Sequence, residues 1–274
     1  MVNEPLTADA VLSECAHDLA DAAAAAVLPY FRVPLAVDNK AGGRNFDPVT
    51  AADRAAEESI SALLAERFPD HGMLGEEFGA RKPEARYQWV VDPIDGTRAF
   101  ISGSPLWGTL IGLKDAGRPH LGVMDQPFTG ERFWSDGTQS FGRWPGAAAH
   151  AIRTRPCARL SDATLMTTDP GLFDKKSERP AFDRIRKAAR MTRLGGDCYS
   201  YCLLASGFVD VVIEVGLKSY DVLALIPIVE HAGGRFTTWE GGSAAEGGRI
   251  VASGDPQVHE AVLEILAGNL AGKK

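Results

Sequence analysis

The stretch that decides the fold of this chain is Trp89-Val90-Val91-Asp92-Pro93-Ile94-Asp95-Gly96-Thr97-Arg98-Ala99-Phe100. Its first part, together with Tyr87, is aromatic and β-branched, which predicts a buried strand. Pro93 lacks an amide donor and fixes φ, so we expect the sheet ladder to end there. Gly96 and Thr97 then read as the first turn of a short helix, whose amides favour an anion such as phosphate. Asp92 and Asp95 therefore lie at the carboxyl end of a strand, where ligands bind in α/β sheets.

A second acidic pair follows another predicted strand end. Gly75-Glu76-Glu77 comes directly after the apolar pair Met73-Leu74. Taken alone, the Asp-x-x-Asp segment is more often a structural turn, because Asp, Gly, Pro and Thr are common in turns. If both acidic pairs meet at neighbouring strand ends, their carboxylates repel and some stay protonated unless a cation is bound. Oxygen-only ligands favour Mg²⁺, Mn²⁺ or Ca²⁺ over zinc.

These segments carry a family resemblance. Gly-Glu-Glu followed by Asp-Pro-Ile-Asp-Gly-Thr resembles the inositol monophosphatase superfamily of Mg²⁺-dependent, lithium-sensitive phosphatases, and Tyr220-Asp221 through Ala232-Gly233-Gly234 is similar to its third motif. The resemblance covers roughly residues 47–253. It implies an α/β layered sandwich of alternating helix and sheet layers, like that of fructose-1,6-bisphosphatases. We expect a half at 1–146, a half at 147–274 and a site between them; the resemblance also implies a homodimer.

Further segments resemble the histidinol-phosphate phosphatase branch of that family. They are Phe46-Asp47-Pro48-Val49-Thr50, Thr97 through Gly103, Asp125-Gln126-Pro127 and Gly195-Gly196-Asp197-Cys198-Tyr199. The inositol-type branch usually has Thr-Asn-Phe at residues 98–100 and Trp-Asp at residues 220–221. The resemblance therefore implies hydrolysis of histidinol phosphate. Inositol 1-phosphate or another small sugar phosphate is the alternative substrate, and a regulatory protein that binds transcription machinery is an alternative of another class.

The resemblance also implies a ligand set for two or three Mg²⁺ ions per subunit, with Mn²⁺ as a substitute. Glu76, Asp92 and the Ile94 carbonyl would hold one ion, and Asp92, Asp95 and Asp221 a second. Glu76 would also help a third, weaker ion. Asp221 has a structural alternative as a plain helix N-cap. Two such ions clamp an in-line phosphoryl displacement and activate the attacking water.

Catalytic and phosphate-binding roles follow in the same way. Asp47 and Thr97 match the family's pair that orients the attacking water, and a hydroxyl between a carboxylate and a metal-bound water suits that task. The Gly96 and Thr97 amides would hold the phosphate, since a side chain at residue 96 would crowd the anion. Glu76 counts as both a ligand and a catalytic residue.

Specificity for the leaving group is assigned to two further acids. Asp197 and Glu214 match positions where family members contact that moiety, and acids suit the ammonium and imidazole of histidinol. The alternative for Asp197 is a helix cap. Glu214 lies in an apolar strand, where an unpaired acid is costly. The roles of Glu77 and Arg98 stay open: Glu77 just outside the ligand set, Arg98 with phosphate or with acids.

Composition narrows the classes of function. The chain has 274 residues, 45% hydrophobic, 24% charged, and a net charge of −7. This suits a soluble protein and argues against nucleic-acid or anionic-membrane binding, so we expect a small phosphorylated metabolite as partner. The N-terminus lacks the basic region of a signal peptide, and no apolar run reaches about 18 residues. Four cysteines without zinc spacing predict free thiols in the cytoplasm.

The remaining pattern predicts alternating elements. Thr7 begins a long alanine-rich helix, and Thr50 with Asp53 forms a capping box for a second helix, for which capping alone is a sufficient explanation. Strands follow to about Ser135. After residue 146 strands and helices alternate, ending with a helix from Asp221 to Ala232, a glycine stop, two strands and a last helix.

Overall fold

The computed structural model describes residues 7–34, 36–39, 48–175 and 177–271. Two N-terminal helices, α1 (Ala8–Val27) and α2 (Ala51–Arg67), lie against each other. The Thr7 hydroxyl accepts a hydrogen bond from the Ala10 amide at 3.2 Å, as predicted for an N-cap. The predicted capping box of α2 is confirmed, because Asp53 Oδ2 accepts from the Thr50 amide at 2.8 Å. Both helices bury their apolar stripes against one face of the first sheet.

The strands up to residue 151 form a short pair and a large sheet. The pair consists of β1 (Asp38–Asn39) and β2 (Pro48–Val49). The sheet strands are β3 (Gly72–Gly75), β4 (Gly79–Arg81), β5 (Tyr87–Asp95), β6 (Gly108–Asp115), β7 (Arg118–Gln126), β8 (Glu131–Ser135), β9 (Ser140–Arg143) and β10 (His150–Ala151). Their order across the described part of the sheet is β10-β9-β8-β7-β6-β5-β3-β4. The sheet is antiparallel except where β5 runs parallel to β3.

Strand β5 continues past Pro93, so the predicted end of the ladder at that residue was wrong. Asp92 pairs with Leu110 and Asp95 pairs with Gly108, which leaves one extra residue on β5. This bulge absorbs the missing amide of Pro93, whose carbonyl accepts a hydrogen bond from Thr109 Oγ1 at 2.8 Å. The predicted short helix, α3 (Thr97–Ile101), begins directly after the strand.

The second half contains a five-stranded sheet in the order β12-β11-β13-β15-β14 within the described residues. Its elements are β11 (Thr164–Thr167), α4 (Glu178–Ala188), β12 (Met191–Leu194), α5 (Asp197–Ala205), β13 (Val211–Leu217), α6 (Ser219–Val222), α7 (Leu225–Glu230), β14 (Arg235–Thr238), β15 (Gly248–Ser253) and α8 (Pro256–Ala271). Helices α5 and α7 share one apolar cluster with residues of both sheets, whereas α4 and α8 cover the outer face of the second sheet. Helix and sheet layers therefore alternate, which confirms the predicted α/β sandwich.

The helix predicted from Asp221 to Ala232 is two helices. Helix α6 begins before Asp221, and α7 begins after a break at Leu223 and Ala224. Pro227 explains the break, because its ring displaces the carbonyl four residues earlier and it has no amide to donate. Gly233 adopts a φ of +101° after α7, where the predicted glycine stop lies.

None of the described helices is long and apolar enough to cross a membrane. The four cysteines are buried free thiols. The boundary at residue 146 stays a prediction.

Candidate active site

The turn after β5 is fixed by its own side chains. Asp92 is 2% exposed, and its Oδ1 accepts a hydrogen bond from the Ile94 amide at 3.0 Å. The Ile94 carbonyl accepts a hydrogen bond from Thr97 Oγ1 at 3.1 Å. Gly96 has a φ of +85°, and a Cβ there would lie 3.1 Å from the Asp197 side chain and 3.0 Å from the Leu106 carbonyl. Only glycine suits this position, for its conformation and for space.

Asp221, from a distant part of the chain, meets Asp92 and Asp95 at this turn. Asp92, Asp95 and Asp221 each offer an oxygen within 4.8 Å of the others. Asp95 Oδ2 accepts a hydrogen bond from the Cys198 amide at 2.6 Å, which ties β5 to α5. Asp221 Oδ2 accepts one from the Lys218 amide at 2.6 Å. Asp221 is therefore the third residue of α6 and caps that helix through the Lys218 amide, although Lys218 is the N-cap itself. The structure also brings the three predicted ligands together.

The side chains of the neighbouring residues Glu76 and Glu77 interact with different groups. Gly75 pairs with Val91 across the parallel strands β3 and β5, so Glu76 and Asp92 follow at adjacent strand ends, as the sequence predicts. The charge of Glu76 helps to raise the pKa values of Asp92 and Asp221, so this carboxylate faces the aspartates. Glu77 acts on a different group: the hydrogen bond to Asp38 raises the pKa of Arg54 most, and the charge of Glu77 adds to that rise.

The electrostatics of the aspartates fit a divalent cation. Burial, and then the neighbouring carboxylates, hold the pKa of Asp92 well above its usual range; for Asp95 burial acts first and Asp197 next. Burial raises the pKa of Asp221 to about 7, opposed by the hydrogen bond from Lys218. Carboxylates this close ionise together only when a cation compensates them, and an all-oxygen set matches Mg²⁺ or Mn²⁺.

The two acids predicted to bind the leaving group line a cleft of about 70 Å³ together with Asp95 and Asp221. Glu214 is 2% exposed, and its Oε1 accepts a hydrogen bond from the Thr168 amide at 2.6 Å. Burial raises the pKa of Glu214 to about 8. Asp197 is the first residue of α5 and has a left-handed φ of +43°, which is unusual outside glycine.

Asp197 and Arg98 lie within electrostatic reach of each other. Burial raises the pKa of Asp197 to about 6, and the positive charge of Arg98 opposes that shift. Arg98 is exposed. Of the two roles left open for Arg98, this placement favours the one in which it acts on an acid.

Glu57 holds the turn that carries Glu76, a role that the sequence alone did not indicate. Glu57 is 1% exposed; its Oε2 accepts from the Glu77 amide at 2.8 Å and its Oε1 from the Phe78 amide at 3.0 Å. A Cβ on Gly75 would lie 1.8 Å from Glu57 Oε1. The available clue was an acid on the buried face of α2, four residues after Asp53. The predicted pairing of Asp47 with Thr97 lies outside the described residues and stays a prediction.

Comparison with known proteins adds to this geometry. Residues 9–270 match the inositol monophosphatase family. The chain is 43% identical to the bifunctional phosphatase IMPL2 of Arabidopsis thaliana, over 90% of this chain and 72% of that protein. It is 37% identical to the histidinol-phosphatase of Mycobacterium tuberculosis, over 80% of this chain and 84% of the relative. A solved inositol monophosphatase from Zymomonas mobilis superposes with a TM-score of 0.84 at 42% identity, over 96% of this chain and all of that one. The chain therefore belongs to the inositol monophosphatase family and is a phosphoric monoester hydrolase.

Proposed function

We propose that this protein is a Mg²⁺-dependent phosphatase that hydrolyses histidinol phosphate to histidinol and phosphate. The observation that carries the proposal is the placement of Asp197 and Glu214 in one cleft with Asp95 and Asp221. Two acids beside a phosphoryl-transfer site suit a leaving group that carries positive charge. The 37% identity to a protein named histidinol-phosphatase supports the same substrate.

Within this proposal, Glu76, Asp92, Asp95, Asp221 and the Ile94 carbonyl hold two or three Mg²⁺ ions. Bound Mg²⁺ supplies a water of lowered pKa and neutralises charge on the phosphoryl oxygens. Backbone amides fix the carboxylates of Asp92, Asp95 and Asp221, so these side chains are oriented before any ligand arrives.

The turn at residues 94–97 orients the reacting groups. The Thr97 hydroxyl is fixed on the Ile94 carbonyl, one residue from Asp95, so it is placed to position a water beside the ligand set. We propose that Asp47 completes this pair. The Gly96 and Thr97 amides bind the phosphate, which can approach the backbone closely because Gly96 has no side chain.

The leaving-group acids act through their charge. In the free protein burial keeps Glu214 largely protonated near neutral pH, since its pKa is about 8. An ammonium or imidazolium group entering the cleft favours the carboxylate form, so Glu214 gives up its proton as the cation binds. A neutral polyol provides no such compensation.

A second candidate substrate is inositol 1-phosphate, favoured by the 42% identity to the Zymomonas mobilis inositol monophosphatase. We also propose that the protein is a homodimer and acts in the cytoplasm. Regulation of transcription machinery is the alternative of another class. The cluster of Asp92, Asp95 and Asp221, which could hold a metal ion, favours an enzyme over that role.

A substrate panel tests the proposal. Phosphate release is measured with Mg²⁺ for histidinol phosphate, inositol 1-phosphate, fructose 1,6-bisphosphate and a 3′-phosphonucleotide. We expect the highest kcat/KM for histidinol phosphate. A higher kcat/KM for any other member of the panel would overturn the substrate assignment, and no release from any would overturn the enzymatic one.

A further inference from the structure

One residue that lines the cleft, Tyr201, carries a buried hydroxyl that the proposed mechanism leaves unused. Tyr201 lies on α5 one helical turn after Asp197 and is 2% exposed. Its ring stacks on Phe236, with centroids 5.2 Å apart and planes inclined by 23°. Its hydroxyl oxygen is buried and has no hydrogen-bond partner among the residues that the structure describes. A buried hydroxyl without a partner destabilises the folded protein, so its presence calls for an explanation.

The hydroxyl lies among the acids of the site. Tyr201 lines the same cleft as Asp197 and Glu214. Burial raises the pKa of Tyr201, and of the nearby charges Glu214 contributes most, followed by Asp95 and Asp221. The phenol is therefore protonated at neutral pH, and it remains a hydrogen-bond donor when a bound cation has ionised the acids around it.

This pairing of a donor with acceptors matches one class of leaving group. A neutral imidazole presents one N–H donor and one bare nitrogen acceptor. Once the ammonium group of the same leaving group has ionised Glu214, its carboxylate accepts from an N–H but cannot satisfy the bare nitrogen. We infer that Tyr201 donates its hydroxyl proton in a hydrogen bond to the acceptor nitrogen of the imidazole ring, which makes it a specificity-determining residue. The inference rests on the proposed function and adds the ring to what the cleft recognises.

The hydroxyls of a cyclitol differ from that nitrogen because each can both donate and accept. They can rotate toward the carboxylates and the backbone carbonyls, so a cyclitol phosphate depends less on one donor. A site built to donate to a ring nitrogen discriminates against a leaving group that lacks it.

Tyr201→Phe tests this with little structural change, because it removes only the hydroxyl and keeps the ring on Phe236. The matched control is Tyr199→Phe on the same helix, whose hydroxyl donates to Glu131 Oε2 at 2.8 Å. Without metal or substrate, Tyr201→Phe should unfold at the same temperature as the wild type or at a higher one, since no bond to a described residue is lost. Tyr199→Phe should unfold at a lower temperature because Glu131 loses a donor.

The activity measurement compares kcat/KM of both variants and the wild type on histidinol phosphate and inositol 1-phosphate. For Tyr201→Phe we expect a loss of about 10-fold on histidinol phosphate, the scale of one hydrogen bond, and little change on inositol 1-phosphate. For Tyr199→Phe the ratio of the two constants should match that of the wild type. An equal loss on both substrates, no loss on either, or a fall in unfolding temperature as large as that of Tyr199→Phe would overturn the role of Tyr201 alone. A wild-type enzyme that prefers inositol 1-phosphate would overturn the proposed function and, with it, this inference.

Discussion

The most informative perturbation outside the site is Glu57→Gln, because Glu57 holds the turn of Glu76 through two backbone amides. Each carboxylate oxygen accepts one of them, at 2.8 Å from the Glu77 nitrogen and 3.0 Å from the Phe78 nitrogen. Glutamine keeps one acceptor and places an NH₂ group against the other amide, so two donors face each other. One charge-assisted bond is lost and the remaining one loses its charge. The turn is therefore destabilised by about 2–4 kcal/mol.

This loss should appear mainly in metal affinity. Glu76 is a proposed Mg²⁺ ligand, so cation binding must restore the turn that the substitution loosens. We expect the Mg²⁺ concentration for half-maximal activity to rise about 10–100-fold, the usual scale for partners that orient metal ligands. At saturating Mg²⁺ the turnover number should recover to within a few-fold of the wild type. In the metal-free protein, hydrogen exchange should accelerate at the Glu77 and Phe78 amides.

The matched control is Glu58→Gln, the same chemical change at the next residue of α2, where the side chain is exposed. It should leave both the Mg²⁺ requirement and the two exchange rates unchanged. A Glu57→Gln protein with the Mg²⁺ midpoint and amide protection of Glu58→Gln would refute the positioning role. A defect that persists at saturating Mg²⁺ would show that Glu57 supports the fold in general and has no specific role in the turn.

Three further predictions concern the site itself. Asp92→Asn should reduce turnover by several orders of magnitude, since each metal ion supplies several kcal/mol. It should nevertheless raise the unfolding temperature of the metal-free protein at pH 8, because it removes one of several repelling carboxylates. Phosphate release at the wild-type rate by the folded variant would contradict the shared-ligand role. Thr97→Ala should lower kcat much more than it raises KM, because orienting a nucleophile matters mainly in the transition state; an effect on KM alone, in initial-rate kinetics, would count against this. For Glu214, whose pKa is about 8 in the free protein, a cation favours the ionised form, so histidinol should bind more tightly as the pH rises from 6 to 8 and should release a proton at pH 7. Calorimetry in buffers of different ionisation enthalpy measures that proton, and its persistence in Glu214→Gln would assign it to another group.

The features that could be predicted from the sequence are those that local chemistry and the order of the strands determine. The capping box of Thr50 and Asp53 is formed, and Glu76 meets Asp92 because parallel strands place their carboxyl ends together. The end of the ladder at Pro93 was mispredicted because a bulge lets the partner strand continue past a missing donor.

Other features could not be predicted from the local sequence. The break before α7 was missed although Pro227 was visible, because the apolar residues on both sides of Pro227 form one continuous run that suggests a single buried helix. The role of Glu57 depends on a contact twenty residues away, which no local pattern encodes. The left-handed φ of Asp197 and its close approach to Gly96 also depend on residues about 100 positions apart in the chain.

The acids of the site share a mode of support that links metal binding to substrate recognition. Asp95 and Glu214 each accept a backbone amide from another element, from Cys198 and Thr168 respectively. Such bonds fix the side chain and partly offset the cost of burying its charge.

The Asp95–Cys198 hydrogen bond also links Asp95 to Asp197, because Cys198 follows Asp197 directly in α5. The same peptide segment thus anchors a proposed metal ligand and carries a proposed leaving-group acid. Burial raises the pKa of Asp95 most, and repulsion by Asp197 raises it further. A cation on Asp95 and a cationic leaving group beside Asp197 act on one turn, and both relieve that repulsion. Binding of either should strengthen binding of the other, by the same factor in both directions.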